Sequence, residues 1–158
     1  MSKLEVKENK RLRLKNVIIF EIRNIELDQL EGHVQKFVNY TQVLNVQMFG
    51  PLITRMVGSN IQQDGTVKYD YDVMIQAHDY LQYKDKFKVK SEYHCDHCLY
   101  VRYAGKPEHL PFAHSKMELF LFENDLDSNG EIYNVFVSNS QEEIIVDIFR
   151  PVLQHATL

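Results

Sequence analysis

The sequence predicts an α+β fold in which one strand–helix–strand–strand unit occurs twice. The product is an antiparallel sheet with two helices packed on it and a cleft between the halves. Two observations carry this prediction. First, the chain nearly repeats itself at a spacing of 80 residues: Leu30 recurs as Leu110, Phe37 as Met117, Tyr40 as Phe120 and Gly50 as Gly130. The second copy then loses five residues from a loop, and Asp72-Val73-Met74-Ile75 stands opposite Asp147-Ile148-Phe149-Arg150. Second, the apolar period changes at matching places in the two copies, from strand-like to helical and back.

The first copy opens with residues 11–23, which are rich in β-branched and aromatic side chains (Val17, Ile18, Ile19, Phe20, Ile22) and read as a strand. Asp28 is the expected helix N-cap. Over residues 29–46, Leu30, His33, Phe37, Tyr40, Thr41 and Leu44 fall at three- and four-residue steps, as on one helix face. Phe49-Gly50-Pro51 is read as the helix stop. Residues 51–58 form a second strand, Asp64-Gly65 a turn, and residues 67–76 a third strand with alternating faces. In the second copy, residues 87–103 are extended, with a break near Asp96, and Gly105-Lys106-Pro107 turns into a helix over residues 108–126. Pro111 lies near its start, where proline is tolerated. Residues 131–138 and 142–150 pair across Asn139-Ser140-Gln141. The whole chain, 1–158, is expected to be one domain of two repeats, about 1–80 and 81–158.

Composition narrows the function. Apolar residues make up 44% of the chain and charged residues 25%, as in ordinary globular proteins. A net charge of −4 argues against a nucleic-acid partner. The basic stretch Lys7, Lys10, Arg11, Arg13 and Lys15 alternates with Leu12 and Leu14, as on a strand with one solvated face. No apolar run is long enough to span a bilayer, and Met1-Ser2-Lys3-Leu4-Glu5 lacks a secretory signal's hydrophobic segment, so a cytoplasmic location and no membrane partner are expected. His94-Cys95-Asp96-His97-Cys98 has Cys-x-x-Cys spacing. It lacks the second ligand pair of a structural zinc site, and a strand sends neighbouring side chains to opposite faces, so the segment is read as a strand with small buried thiols and surface imidazoles. No metal and no cofactor are expected. Phosphate-loop, nucleophile-elbow and His-Glu-x-x-His signatures are all missing from the sequence.

The doubled order resembles the GyrI-like effector-binding domain, the ligand domain of bacterial multidrug regulators, over residues 12–152. Leu99 to Pro107 is similar to that family's strand and turn before its helix. Asp147-Ile148-Phe149-Arg150-Pro151-Val152 is similar to its Glu-Ile-x-Ile-Pro-Val ending. There the resemblance implies an acidic residue in an aromatic pocket that pairs with cationic, often lipophilic, ligands. Three departures stand out. Asp147 is one methylene shorter than glutamate. Arg150 replaces an apolar residue, and its positive charge would either neutralise Asp147 or discourage a cationic ligand. No Trp is present to stack on a flat cation.

The expected ligand-binding residues are Asp147 and Phe149, with Tyr133 near them, and Asp72 and Tyr71 from the repeat-related strand. Asp70 shares a strand face with Asp72 and is read as a solvated edge. An acid buried at Asp72 or Asp147 requires a ligand charge or an internal partner; otherwise it is exposed. Tyr69, Tyr71, Tyr133, Phe136 and Phe149 are read either as pocket walls or as core. The expected function is non-catalytic binding of a small molecule, lipophilic or cationic, in the cleft between the repeats. The alternatives are a protein-interaction module with a degenerate cleft, and a hydrolase of a small reactive compound.

Overall fold

A computed structural model describes residues 4–140 and 142–153. Met1–Lys3, Gln141, which the sequence assigns to the last turn, and His155 lie outside the described residues. The elements run β1 (Lys7–Ile25), α1 (Leu30–Val43), β2 (Met48–Ile61), β3 (Val67–Ala77), β4 (Lys88–Gly105), α2 (Leu110–Glu123), β5 (Ile132–Asn139) and β6 (Ile144–Pro151). This is strand–helix–strand–strand, twice. The helices are both 14 residues long and begin 80 residues apart, at Leu30 and Leu110. The strands that feed them end at Ile25 and Gly105, again 80 residues apart.

The chain divides into two compact units, residues 14–93 and residues 1–13 with 94–158. In the first, β3 is the middle strand, paired antiparallel with β1 and with β2. One sheet face packs on α1 through Ile18, Ile22, Phe37, Tyr71, Val73 and Ile75. Phe37 stacks flat on Phe20 at 5.0 Å, and Phe87 meets both rings edge-on. In the second unit β6 is the middle strand, paired antiparallel with β4 and β5. Here Leu99, Val101, Tyr103, Val146 and Ile148 pack on Ala113, Met117 and Leu121 of α2.

The helix ends show how closely the copies match. Each helix closes with a residue in the left-handed region, Asn45 (φ 57°) and Asp125 (φ 53°), 80 residues apart. In each, the next amide bonds back five residues, Val46 N–H to the Thr41 carbonyl and Leu126 N–H to the Leu121 carbonyl, at 3.0 and 2.9 Å. The chain therefore leaves α1 before Gly50-Pro51, which lies inside β2 and not at the helix stop. Asn can adopt the left-handed turn with little penalty, so no glycine was needed. The N-terminus differs from expectation too. Glu26, not Asp28, precedes the first turn (Leu27–Gln29), and its amide donates to Gln29 Oε1 at 3.0 Å. Strand β3 also departs from simple alternation, since Tyr71 to Ile75 are all buried. A middle strand loses solvent on both faces wherever its neighbours and their side chains are large.

Arg150 lies on the α2 side of β6, on the same face as Ile148. Its Nη1 pairs with Glu118 Oε1 at 2.5 Å, so its charge is spent on the helix and not on Asp147. His114, one turn before Glu118, is held below the ordinary histidine range, first by burial and then by the nearby Arg150 charge.

Core burial and the His114 shift each have a measurable consequence. Phe37 is 2% exposed and Phe122 is 84% exposed. Phe37→Ala should lower the unfolding free energy by roughly 3–5 kcal/mol, and Phe122→Ala should change it by less than about 0.5 kcal/mol, in urea titrations. For His114, the unfolded chain takes up a proton near 6.5, while the folded protein does so only at lower pH. Between those values the unfolded state binds more protons, so acidification through this range destabilises the fold. His114→Gln should flatten that decline when urea midpoints at about pH 7.5 and about pH 5.5 are compared.

Candidate functional site

The two repeat-related acids occupy equivalent places. Asp72 sits on middle strand β3, beside Glu21 of β1 and Arg55 of β2. Asp147 sits on middle strand β6, beside Arg102 of β4 and Val135 of β5. Both point to the sheet face away from their own helix, because the residues on either side of each (Tyr71 and Val73; Val146 and Ile148) belong to the helix-facing core.

Each acid is held by arginine. Asp72 is 5% exposed and receives Arg23 Nη2 at 2.9 Å on Oδ1 and Arg55 Nη1 at 3.0 Å on Oδ2. Arg23 also donates to the Tyr71 carbonyl and to Glu21, so it bridges the sheet edge. Asp147 takes the two-pronged arginine geometry: Arg102 Nε donates to Oδ1 at 2.8 Å and Nη2 to Oδ2 at 3.0 Å. The Tyr100 hydroxyl adds a third bond to Oδ1 at 2.8 Å. The Tyr100 phenol is held above its usual value by burial and by this bond to a carboxylate, which keeps it a proton donor at neutral pH. The internal partner of Asp147 is therefore Arg102, from the neighbouring strand, and not Arg150.

Phe149 lies two residues beyond Asp147 on the same face. Its cross-strand neighbours are Tyr100 on one side and Tyr133 on the other. The Tyr100 and Phe149 rings are 5.0 Å apart, while Tyr133 is 2% exposed. The expected trio Asp147, Phe149 and Tyr133 thus shares one face of the β4–β6–β5 sheet. Tyr71 does not share a face with Asp72. It points to the α1 side, where it is 8% exposed and meets Tyr69. Phe136 pairs with Val146 and likewise packs on the α2 side. Asp70 is not a free edge carboxylate either, since its Oδ1 accepts the Asn24 amide at 2.8 Å where β1 bulges.

Asp147, Tyr100 and Phe149 open on a niche of about 230 Å³ whose other walls are Lys7, Lys10 and Arg11. The alternation in sequence gives these basic residues to a solvated strand face, and they are indeed exposed while Leu12 and Leu14 are 5% exposed. Side chains three apart on a strand ordinarily face opposite ways. Asn9, in the left-handed region at φ 57°, breaks the alternation between Lys7 and Lys10.

The cysteine cluster is bent in a similar way. His97 (φ 57°) interrupts β4 between Cys95 and Cys98, near the expected break at Asp96. The two cysteines therefore do not go to opposite faces as strand alternation implies. Cys98 is fully buried and its Sγ points to the Cys95 carbonyl at 3.5 Å. Its thiol is pushed far up, first by hydrogen bonding with Cys95 and then by burial, so it stays protonated. Among the described residues no group of three or more His, Cys, Asp and Glu is arranged to hold a metal.

A larger cavity, about 640 Å³, lies where β4 enters α2, lined by Leu4, Tyr103, Gly105, His109, Phe112 and Glu143 among others. Its origin is legible from the repeat. Ile25, at the position equivalent to Gly105, fills the core of its own unit. At Gly105 an added Cβ would lie 2.9 Å from the Tyr103 hydroxyl, so a side chain there would require the Tyr103 ring to shift.

No protein-family model matches the chain, and no curated protein matches it in sequence. Solved structures do match in fold. SAV2435 bound to tetraphenylphosphonium superposes with a TM-score of 0.60 at 8% identity, covering 96% of this chain and 94% of that one. EcmrR, in a cryo-EM structure of its DNA complex, gives 0.63 at 11% identity, covering 95% of this chain and 57% of that one. An uncharacterized conserved protein from Listeria innocua gives 0.55 at 11% identity, covering 96% and 92%. Identities this low establish a shared fold and nothing finer.

The difference in burial of the two acids predicts a difference in energy. Asp72→Asn removes the charge that two partly buried guanidinium groups depend on, and should cost roughly 2–4 kcal/mol. Asp147→Asn leaves the half-exposed Arg102 free to turn to water, and should cost about 1 kcal/mol or less. Urea unfolding of both variants measures the order, and equal losses would count against this account.

Proposed function

We propose that the protein is a GyrI-like small-molecule-binding domain without catalytic activity, and that its ligand lies against Phe149 and Tyr100 beside Asp147. The observation that supports this best is the convergence in one concavity of the Asp147 carboxylate, the Arg11 guanidinium and two aromatic rings, Phe149 and the phenol of Tyr100. Sites of this kind combine an apolar wall with a few fixed polar groups. The shared fold with SAV2435, which is bound to tetraphenylphosphonium, supports small-molecule binding as the general role. The resemblance in the closing segment supports Asp147 as the polar contact and implies a lipophilic or cationic compound. Asp72 and Tyr71 are not carried into this site, since Asp72 is saturated by two arginines and Tyr71 is core.

A second reading, a protein-interaction module, is favoured by α2. Phe112, Leu119 and Phe122 of that helix are 63%, 55% and 84% exposed. The corresponding positions of α1 are Gly32, Asn39 and Gln42. The hydrolase reading has a neighbour too, a hydrolase from Listeria innocua at a TM-score of 0.51 and 10% identity. Here, however, the acid nearest a tyrosine hydroxyl, Asp147, is already engaged on both oxygens by Arg102. The fold does not exclude a nucleic-acid partner, because EcmrR shares it and was solved on DNA; net charge is the only argument against one. No helix among the described residues is long and apolar enough to cross a membrane.

Native mass spectrometry of the purified protein, then titration with single-ring aromatic compounds of either charge, tests the proposal. A bound compound whose affinity falls about tenfold in Phe149→Ala, with little change in thermal midpoint, is the expected result. Binding that is insensitive to Phe149→Ala and Tyr100→Phe would overturn the placement.

A further inference from the structure

The charge around Asp147 has the wrong sign for a cation. The carboxylate accepts three hydrogen bonds, two from Arg102 and one from Tyr100, and its side chain is 14% exposed. A cationic ligand would have to displace a two-pronged guanidinium, the geometry in which a carboxylate is held most firmly. The remaining walls add three more positive side chains, Lys7, Lys10 and Arg11. Of these, Arg11 is paired with Asp96 through a 2.5 Å contact. Counting Arg102 with the walls, four cations face Asp147 and Asp96, which leaves a surplus of two positive charges at the mouth of the niche.

From this we infer that the niche binds a small aromatic anion: a ring carried on Phe149 and Tyr100, with a carboxylate, sulfonate or similar group held by Lys7 and Lys10. The inference rests on the reading of the niche as a ligand site and reverses the charge that the resemblance implies. Asp147 is then no ligand contact. It ties up the Arg102 guanidinium and the Tyr100 hydroxyl at the niche floor and opposes an anion with its own charge. A volume of about 230 Å³ suits a single ring with one charged group. Oxygen anions gain charge-assisted hydrogen bonds from ammonium groups, and the surplus charge also favours their approach.

The repeat supplies an internal contrast. At the position of Phe149 the other unit has Met74, fully buried, and beside Asp72 it has Glu21 where this unit has Arg102. An arginine-bound acid is common to both copies; the half-exposed ring beside it is the departure of the second copy from the first, and Lys7, Lys10 and Arg11 of β1 line the niche around it.

The test is calorimetric titration of the full chain with two probes of matched ring and opposite fixed charge, benzenesulfonate and phenyltrimethylammonium. Benzenesulfonate is expected to bind, and to lose about tenfold or more in affinity in the double variant Lys7→Glu, Lys10→Glu, whose exposed positions do not contribute to the core. Asp147→Asn should strengthen benzenesulfonate binding several-fold, because it removes the negative charge at the niche floor and releases Arg102. Rising salt should weaken the complex. Tighter binding of phenyltrimethylammonium, lost in Asp147→Asn, would overturn the inference and leave the ligand site standing. If neither ion binds at millimolar concentration while circular dichroism shows the protein folded, the inference and the site fall together.

Discussion

The rest of the structure depends on the two faces of a middle strand. In each unit the central strand must bury one face against a helix, and the residues that do so, Tyr71-x-Val73-x-Ile75 and Val146-x-Ile148, leave the intervening positions to the other face. With a period of two, nothing else is available to Asp72 and Asp147. The hydrophobic burial that pins the register therefore also sets where the acids point. A shift of one residue would bring both carboxylates under a helix, away from the arginines that now hold them.

Burying part of a carboxylate creates a requirement, and both units meet it with arginine from a neighbouring strand. The solutions differ. Asp72 is deep and shared between Arg23 and Arg55, which ties β1, β3 and β2 together. Asp147 is shallower and held by Arg102 and Tyr100, both on β4, while β5 places the apolar Val135 opposite it. The first arrangement is a structural clamp. The second leaves a polar floor accessible from a niche, with aromatic walls, and that is the kind of asymmetry a duplicated unit can turn to binding. The same contrast recurs where Ile25 fills its core and Gly105 borders a cavity.

Much of this is legible in the sequence. The 80-residue repeat places both helices within three residues of their observed ends, because Leu30, Phe37 and Thr41, or Leu110, Met117 and Leu121, can line one face only in a helix. It also pairs Asp72 with Asp147. Several departures from expectation involve left-handed residues: Asn45 closes α1 before Gly50-Pro51, and Asn9 and His97 interrupt the extended conformation of β1 and β4. Asn is often chosen for such positions, but many asparagines are not in them, so composition alone does not mark the turn. Arg150 stands near Asp147 in sequence, which suggests a pair, but three positions along a strand put it on the opposite face.

What the sequence determined by itself is the architecture: periodicity and duplication are local properties, and a hydrophobic face admits few ways of being covered. What only the tertiary structure decided is the partnership of the charged groups. Arg102 reaches Asp147, Arg150 reaches Glu118, and Lys7 and Lys10 reach the niche through strand pairing, a bulge and a helix that bring together residues up to about 140 positions apart. The sign of the charge around an acid depends on those distances, because the interaction falls off over a few ångströms and leaves no trace in the order of the chain.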